Sequence, residues 1–391
     1  MKILIADKCI YDVGGVQNII TTLANNLVDN NEVTMLSVIK NAERPHFKYD
    51  QNVKIKFLLD FTEHNLKQYK KKNLKYYILR IKEELQKKYK LKSLIKKNSR
   101  YITESDVIIF GRIDTAILFF KCLGDKFKGK NVIVRDSMNL KFYDENLKNK
   151  MKYYFPKYVS NFITSSEECI NQYNDFFDDK VNIKKIYNPL CIIPKKVGSM
   201  KNKTIAAVGR MDQQKGFDML IKIFKKVKNE YPEWKLNIYG DGINKYKLLN
   251  LIEEEQLDDS VILKGNSSDI VESLNETSIF AFTSRYEGYA NALVEAMSCG
   301  LPCISFDFFT GVEDIIDKNM QNGIIVNLKN RDEYFYGVNN EEDELNFYNK
   351  IKYLIENEKI AEEIGNEAMN IISSRKIDVI ISEWKKIIEG E

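Results

Sequence analysis

Residues 279–307 read IFAFTSRYEGYANALVEAMSCGLPCISFD. An apolar run at 279–283 ends at Ser284, a polar turn follows, a helix begins between Tyr289 and Asn291, and a second apolar run occupies 303–306. Short apolar runs held one helix apart are the pattern of parallel strands, which are covered on both faces and need no polar alternation. The pattern repeats outward: 204–208, 236–239 and 261–264 before it and 324–326 after it read as further strands. Earlier in the chain, 3–6, 33–38, 53–59, 107–110, 132–134 and 162–164 form a second series of the same kind. Between the two series, after Asn188-Pro189, residues 191–202 carry Pro194, Gly198 and several lysines without periodicity and read as a linker. The expected fold is α/β, two Rossmann-like doubly wound domains facing across a cleft, with 1–190 as the first and 203–391 as the second. From Glu341 the pattern is nearly all helical, and the C-terminal helix is expected to return to the first domain.

Length and composition agree with this division. At 391 residues the chain exceeds what one hydrophobic core serves, and 44% hydrophobic residues suffice for two. Sixty Lys and Arg against 56 Asp and Glu leave a net charge of +4, which is no signature of a general nucleic-acid binder. The two histidines, His46 and His64, stand in polar stretches, so a Ser-His-Asp or Cys-His hydrolase lacks its base and a His-rich metal site lacks ligands. The six cysteines are scattered, Cys299 and Cys303 being the one close pair, and read as small hydrophobes. The N-terminal apolar run is too short for a signal peptide, and nothing approaches the ~18 apolar residues of a membrane span. A reducing cytoplasm is expected.

Charge is uneven along the chain. Between Asn65 and Arg100 stand fourteen basic and two acidic residues, a net +12. Leu74, Tyr77, Ile78, Ile81 and Leu85 recur at helical spacing, so 65–100 reads as a basic amphipathic helix. With Tyr69, Tyr76, Tyr77 and Tyr89 it suits an anionic membrane surface, where each Lys or Arg is worth about 1 kcal/mol. A plain solvated helix face is the alternative, and no nucleic-acid motif accompanies the charge.

Chemistry concentrates in three places. Glu287 lies at the carboxyl edge of the strand at 279–283, where open α/β sheets bind ligands. Glu295 lies within a helix among Ala292, Leu293, Val294, Ala296 and Met297, surroundings that penalise an unpaired charge, with an ordinary solvated glutamate as the alternative. Eight residues along a helix span about 12 Å, longer than the ~5 to 9.5 Å between paired glycosidase carboxylates. That spacing suits two ends of an extended, hydroxyl-rich ligand such as a nucleotide sugar, whose diphosphate then needs positive charge. IAAVGRMDQQKG at 205–216 offers it through Arg210 and Lys215, a guanidinium fork and a point charge suited to phosphate oxygens. Two surface basics in a turn are the plainer alternative. In the first domain, YDVGGV at 11–16 places Gly14 and Gly15 after the first strand, where backbone amides and a helix N-terminus favour an anion. It is not G-x-G-x-x-G, and IYGDGIN at 238–244 lacks the third glycine, so no dinucleotide cofactor is implied.

In order along the chain stand Gly14-Gly15, Tyr187-Asn188-Pro189, Val208-Gly209-Arg210 with Lys215-Gly216, and Tyr239-Gly240-Asp241-Gly242. Glu287 to Glu295 follow, with Ala296 and Gly300-Leu301-Pro302. The set resembles the retaining, GT-B-fold glycosyltransferases of family 4 over nearly the whole length. The resemblance implies transfer of a hexose or N-acetylhexosamine from a UDP-sugar to a hydroxyl of a glycan or lipid-linked acceptor, with retained anomeric configuration. Cell-envelope polysaccharide synthesis at the inner membrane face is the implied setting. By the same resemblance Arg210 and Lys215 hold the diphosphate and stabilise the leaving group, Glu287 contacts the donor sugar, and Glu295 takes the ribose hydroxyls. Gly288 and Asn291 line the donor site, and Gly14-Gly15 meets the phosphates from the other domain. Arg210, Lys215 and Glu287 are the expected catalytic residues. No Asp-x-Asp occurs in the chain, in keeping with a site where Arg and Lys replace a metal, so neither metal nor cofactor is expected.

The chain departs from the family pattern after the strand at 132–134, where Arg135-Asp136-Ser137 stands in place of a frequent histidine. Arg135 is either a donor contact or a buried ion-paired residue, and an arginine is no base at neutral pH. FDFFTGVEDII places Asp307, Thr310, Gly311 and Glu313 after a strand, resembling a loop that reaches the donor, with Glu313 expected to cap the short helix that follows. Two other readings share the fold. A sugar-nucleotide epimerase would need an acid or base that neither histidine supplies, and against a non-catalytic assembly partner stands the intact set of Arg210, Lys215, Glu287 and Glu295.

Overall fold

The computed structural model describes residues 1–12, 14–60, 89–191, 199–267, 269–308, 311–317 and 319–390. These form two compact α/β units. The first comprises Met1–Thr164, Ile170–Ile186 and Ile381–Glu391, and the second Ser165–Cys169 and Tyr187–Ile380. The last helix, Ile377–Glu389, carries Ile381, Trp384, Ile387 and Ile388 buried, and Asn131 donates its side-chain amide to the Ile388 carbonyl at 3.2 Å.

The first unit holds β1 Lys2–Asp7, β2 Glu32–Lys40, β3 Lys54–Asp60, β4 Val107–Phe110, β5 Asn131–Arg135, β6 Asn161–Thr164 and β7 Ile183–Lys185, in spatial order β3-β2-β1-β4-β5-β6-β7. The second holds β8 Thr204–Val208, β9 Lys235–Tyr239, β10 Val261–Gly265, β11 Ile279–Phe282, β12 Cys303–Phe306 and β13 Ile324–Val326, in order β10-β9-β8-β11-β12-β13. Every pair is parallel. This is the doubly wound α/β architecture read from the apolar runs, twice over. In each sheet the order reverses beside the first strand, so the carboxyl ends of β1 and β4, and of β8 and β11, are switch points where such sheets take ligands.

Burial explains the short apolar runs. In β8, Ile205 and Ala207 belong to the cluster on one face while Ala206 belongs to the other, and in β11 Ile279 and Ala281 alternate with Phe280 and Phe282 in the same way. Successive side chains of a strand point to opposite faces, so two covered faces require an unbroken apolar run. Each large apolar side chain so buried contributes roughly 1.5–3 kcal/mol. The strand the sequence reading did not include is β7, three half-buried residues with two lysines at the sheet's edge, too short and too polar to register.

One sequence expectation changes at its end, and another lies largely outside the described residues. Met200, inside the span read as a linker, is buried in the second unit's core, and Met200–Asn202 forms a single 3-10 turn, while 192–198 lie outside the described residues. Of the basic stretch 65–100, residues 65–88 likewise lie outside them. Residues 89–97 are helical, with Ile95 buried and Tyr89, Lys90, Lys92, Lys96 and Lys97 exposed.

Candidate functional site

At the carboxyl end of β8 the chain passes Gly209 and Arg210, makes a 3-10 turn at Gln213–Lys215, and enters the helix Phe217–Glu230 through Gly216. Gly216 sits in the left-handed region at φ 63°, and a Cβ there would collide with the Thr283 carbonyl and lie 2.6 Å from the Tyr334 hydroxyl. Only glycine satisfies both conditions. A Cβ on Gly209 would press on the Lys215 side chain at 2.7 Å, so the lysine stem runs directly over a bare backbone. Lys215 thereby points its ammonium along the sheet edge, 5.7 Å above the Phe282 ring.

The ammonium meets Glu287, its Nζ lying 2.5 Å from Oε1 with both side chains largely buried. Gln214 donates to the other oxygen of Glu287 at 3.3 Å and to the Tyr286 carbonyl at 2.9 Å, while its own amide oxygen accepts from Arg210 Nη2 at 3.2 Å. Arg210 is otherwise exposed and lies 3.4 Å from Asp212. An arginine, a lysine, a glutamine and a glutamate are thus joined at one switch point.

Glu295 stands in the helix Asn291–Ser298, which begins four residues after Glu287. Among the described residues its carboxylate has no hydrogen-bond partner, and burial pushes it up to about 7, with the nearby Lys215 charge pulling the other way. The two glutamates therefore differ: one is ion-paired, and the other is a desolvated carboxylate near the same cation. Both carboxylates thus neighbour Lys215. Gly288 accepts from the Ser165 hydroxyl at 3.4 Å, and Asn291 accepts from the Asn188 amide at 2.9 Å, so the turn between the glutamates is held at both ends. Between them Tyr289 accepts from Arg375 at 2.7 Å, and burial raises its phenol to about 12.

The loop after β12 is anchored rather than capped as expected. Glu313 lies inside the turn Val312–Asp314, whose N-cap is Gly311 at φ 85°, so it does not cap the turn, and Thr310 lies outside the described residues. Asp314 accepts from the Tyr187 hydroxyl at 3.2 Å and from the Glu167 backbone amide at 2.9 Å.

In the first unit, Gly14 is the N-cap of the helix Gly15–Leu27, which has neither an acid in its first turn nor a side-chain cap. Beside it Asp7, fully buried at the end of β1, takes a two-pronged contact from Arg112, both bonds 2.9 Å, and a third from Gln17 at 3.2 Å. This trio was not anticipated from the sequence. Arg135, at the end of β5, is buried and donates to the Ser137 hydroxyl at 3.2 Å. Among the described residues no group of three or more His, Cys, Asp or Glu is disposed to hold a metal ion, and no cysteine is bridged.

Residues 192–370, which span the second sheet, match the sequence profile described as glycosyl transferases group 1. The protein is a glycosyltransferase, with a group 1 domain over those residues. An uncharacterised glycosyltransferase of Haemophilus influenzae is 26% identical over 97% of each chain. The Campylobacter jejuni N-acetylgalactosamine-N,N'-diacetylbacillosaminyl-diphospho-undecaprenol 4-alpha-N-acetylgalactosaminyltransferase is 29% identical over 54% of this chain and 50% of its own, so that match spans about half of the relative. Among solved structures, Anabaena HepE in complex with UDP superposes with a TM-score of 0.71 at 15% identity over the full length of both, a likeness of fold.

Within this glycosyltransferase a further residue that sequence reasoning passed over is Arg285, two places before Glu287. It reads as one more surface basic, yet its side chain is 1% exposed and every hydrogen bond it makes runs inward. The available signal was its place between the end of β11 and an acid at the ligand edge, where a long side chain must turn either to the ligand or into the core.

Proposed function

We propose that this glycosyltransferase moves a hexose or N-acetylhexosamine from a UDP-sugar to a hydroxyl of a glycan or lipid-linked acceptor, with retained anomeric configuration, in cell-envelope polysaccharide synthesis. The observation that carries the reading is the pairing of Lys215 with Glu287 at 2.5 Å beside exposed Arg210 and beside Glu295, whose carboxylate has no hydrogen-bond partner among the described residues. Two cations at a switch point suit a diphosphate, and a carboxylate lacking a protein donor suits the hydroxyl pair of a ribose. The Campylobacter relative's lipid-diphosphate acceptor and the UDP bound to HepE favour the substrate classes.

Catalysis is assistance to the leaving group. As the bond from the anomeric carbon to the diphosphate oxygen breaks, charge grows on that oxygen. Fixed guanidinium and ammonium groups stabilise this charge more than the ground state, which is the condition for a rate gain. Donor binding draws Lys215 toward phosphate and releases part of Glu287 for the sugar. Arg210 and Lys215 take the place of a metal, so turnover is metal-independent. Gly14 and Gly15 supply anion-favouring amides in the first unit. Docking on an anionic membrane uses the exposed lysines of 89–97 together with Lys121 and Lys157, which surround the same stretch of the first unit.

The deciding experiment is a thermal-shift and turnover screen of UDP- and GDP-sugars. A UDP-sugar at a hundredfold its Kd stabilises by about 2.7 kcal/mol, and Lys215→Ala lowers kcat by roughly 10²–10³. Isomerised donor in the absence of acceptor identifies an epimerase instead, and an unshifted protein across the panel removes the proposal.

A further inference from the structure

Three consecutive carbonyls of the Gln213–Lys215 turn are taken by one strand end. The Gln213 oxygen accepts from Arg285 Nε at 3.1 Å, the Gln214 oxygen from the Arg285 backbone amide at 2.7 Å, and the Lys215 oxygen from the Thr283 hydroxyl at 3.1 Å. The remaining guanidinium nitrogens tie this seam to three neighbours. Nη1 donates to the Tyr334 carbonyl at 3.1 Å, and Nη2 to Asp218 at 2.7 Å and Asn339 at 2.9 Å. The guanidinium also lies 4.6 Å from the Tyr334 ring centroid, and Tyr334 donates its hydroxyl to Thr283.

A carbonyl oxygen is the negative end of a peptide dipole, and three free ones would oppose any anion brought to this turn. Bonded to Thr283 and Arg285, they are neutralised and fixed, and the turn can rotate only by breaking several hydrogen bonds at once. The planar fork of five donors is what permits one side chain to reach four acceptors, which a single ammonium cannot do. We infer that Arg285 is a positioning residue, which aims Lys215 at a diphosphate by locking the carbonyls of its turn and never touches the ligand itself. The inference rests on the reading of this turn as the diphosphate site, but not on the sugar, the acceptor or the reaction.

The test is a double-mutant cycle read by the affinity for inorganic pyrophosphate, measured by thermal shift on the full chain. If Arg285 acts through Lys215, Arg285→Lys weakens pyrophosphate at least tenfold in the native background and less than twofold in a Lys215→Ala background. A merely structural role predicts the same loss in both. Should Arg285→Lys fail to fold, Thr283→Val removes one of the three carbonyl bonds and follows the same pattern at about three- to fivefold. Equal losses in the two backgrounds, native affinity in the variants, or no pyrophosphate binding by the native chain each overturn the inference. Coupled losses without turnover of any nucleotide sugar would leave it standing and remove the proposed function instead.

Discussion

Replacing Glu295 by glutamine takes away a charge that the fold holds at a disadvantage. Its carboxyl titrates at about 7 against an ordinary 4.5 because burial penalises the ionised form. The sign follows from proton linkage. Below about pH 4 both the folded and unfolded states keep the proton and nothing is lost. Between 4.5 and 7 the unfolded chain ionises while the folded one does not, so stability falls as pH rises, and above 7 the penalty is complete. At about 1.4 kcal/mol per pH unit it reaches on the order of 3 kcal/mol at pH 8 and about 1 kcal/mol at pH 5. Glu295→Gln, which never ionises, should therefore stabilise the free protein by about 6 to 12 °C at pH 8, as an upper figure, and by much less at pH 5. On the proposed function, the same change should also weaken the UDP-sugar, whose ribose hydroxyls are proposed to bond this carboxylate. Thermal and urea melts of both forms at the two pH values provide the comparison. A stability gain independent of pH, or a loss at pH 8, would refute the account of Glu295 as a desolvated acid.

Gly216→Ala forces a Cβ at φ 63° into the Thr283 carbonyl, so urea unfolding should show a loss of at least about 2 kcal/mol together with lost pyrophosphate binding. In the first unit, Asp7→Ala strands the Arg112 guanidinium beside Gln17 and should cost about 3–5 kcal/mol in the same assay, whereas a loss below 1 kcal/mol would mean that water replaces the pair readily. Chelation with EDTA should leave turnover of the donor unchanged, and restoration of lost activity by a divalent cation would show that Arg210 and Lys215 do not suffice. Neutralising Lys92, Lys96, Lys121 and Lys157 to glutamine should weaken sedimentation with phosphatidylserine vesicles at least tenfold at low salt and leave transfer to a water-soluble acceptor unchanged. Equal sedimentation of the variant and the native chain would remove this face from the docking proposal.

Much of the site's content was readable as residue type and place, and much of its wiring was not. Arg210, Lys215 and Glu287 fall at strand ends because the apolar runs before them stop there, a one-dimensional signal. The ion pair between Lys215 and Glu287 joins residues 72 apart and depends on β8 and β11 being neighbours, which strand order alone decides. Glu287 and Glu295 look alike in sequence, yet one is ion-paired and the other is held at about 7, because only the turn reaches the lysine while the helix buries its acid. Arg285 was passed over for the opposite reason: a charged residue type suggests solvent, and its four acceptors lie on segments 49 to 72 residues away.

By itself the amino-acid order determined the alternation of buried strand and helix and the two sheets. It also placed glycines at the turns that follow the strands. Apolar periodicity and left-handed turns are local properties, and hydrophobic burial acts on them the same way wherever the segment lands. Tertiary structure alone decided which polar groups neutralise one another. Desolvation and hydrogen bonding depend on the neighbours a fold assembles from distant segments, and in that assembly Arg285 was turned inward, Lys215 was joined to Glu287, and Glu295 was left without a hydrogen-bond partner among the described residues.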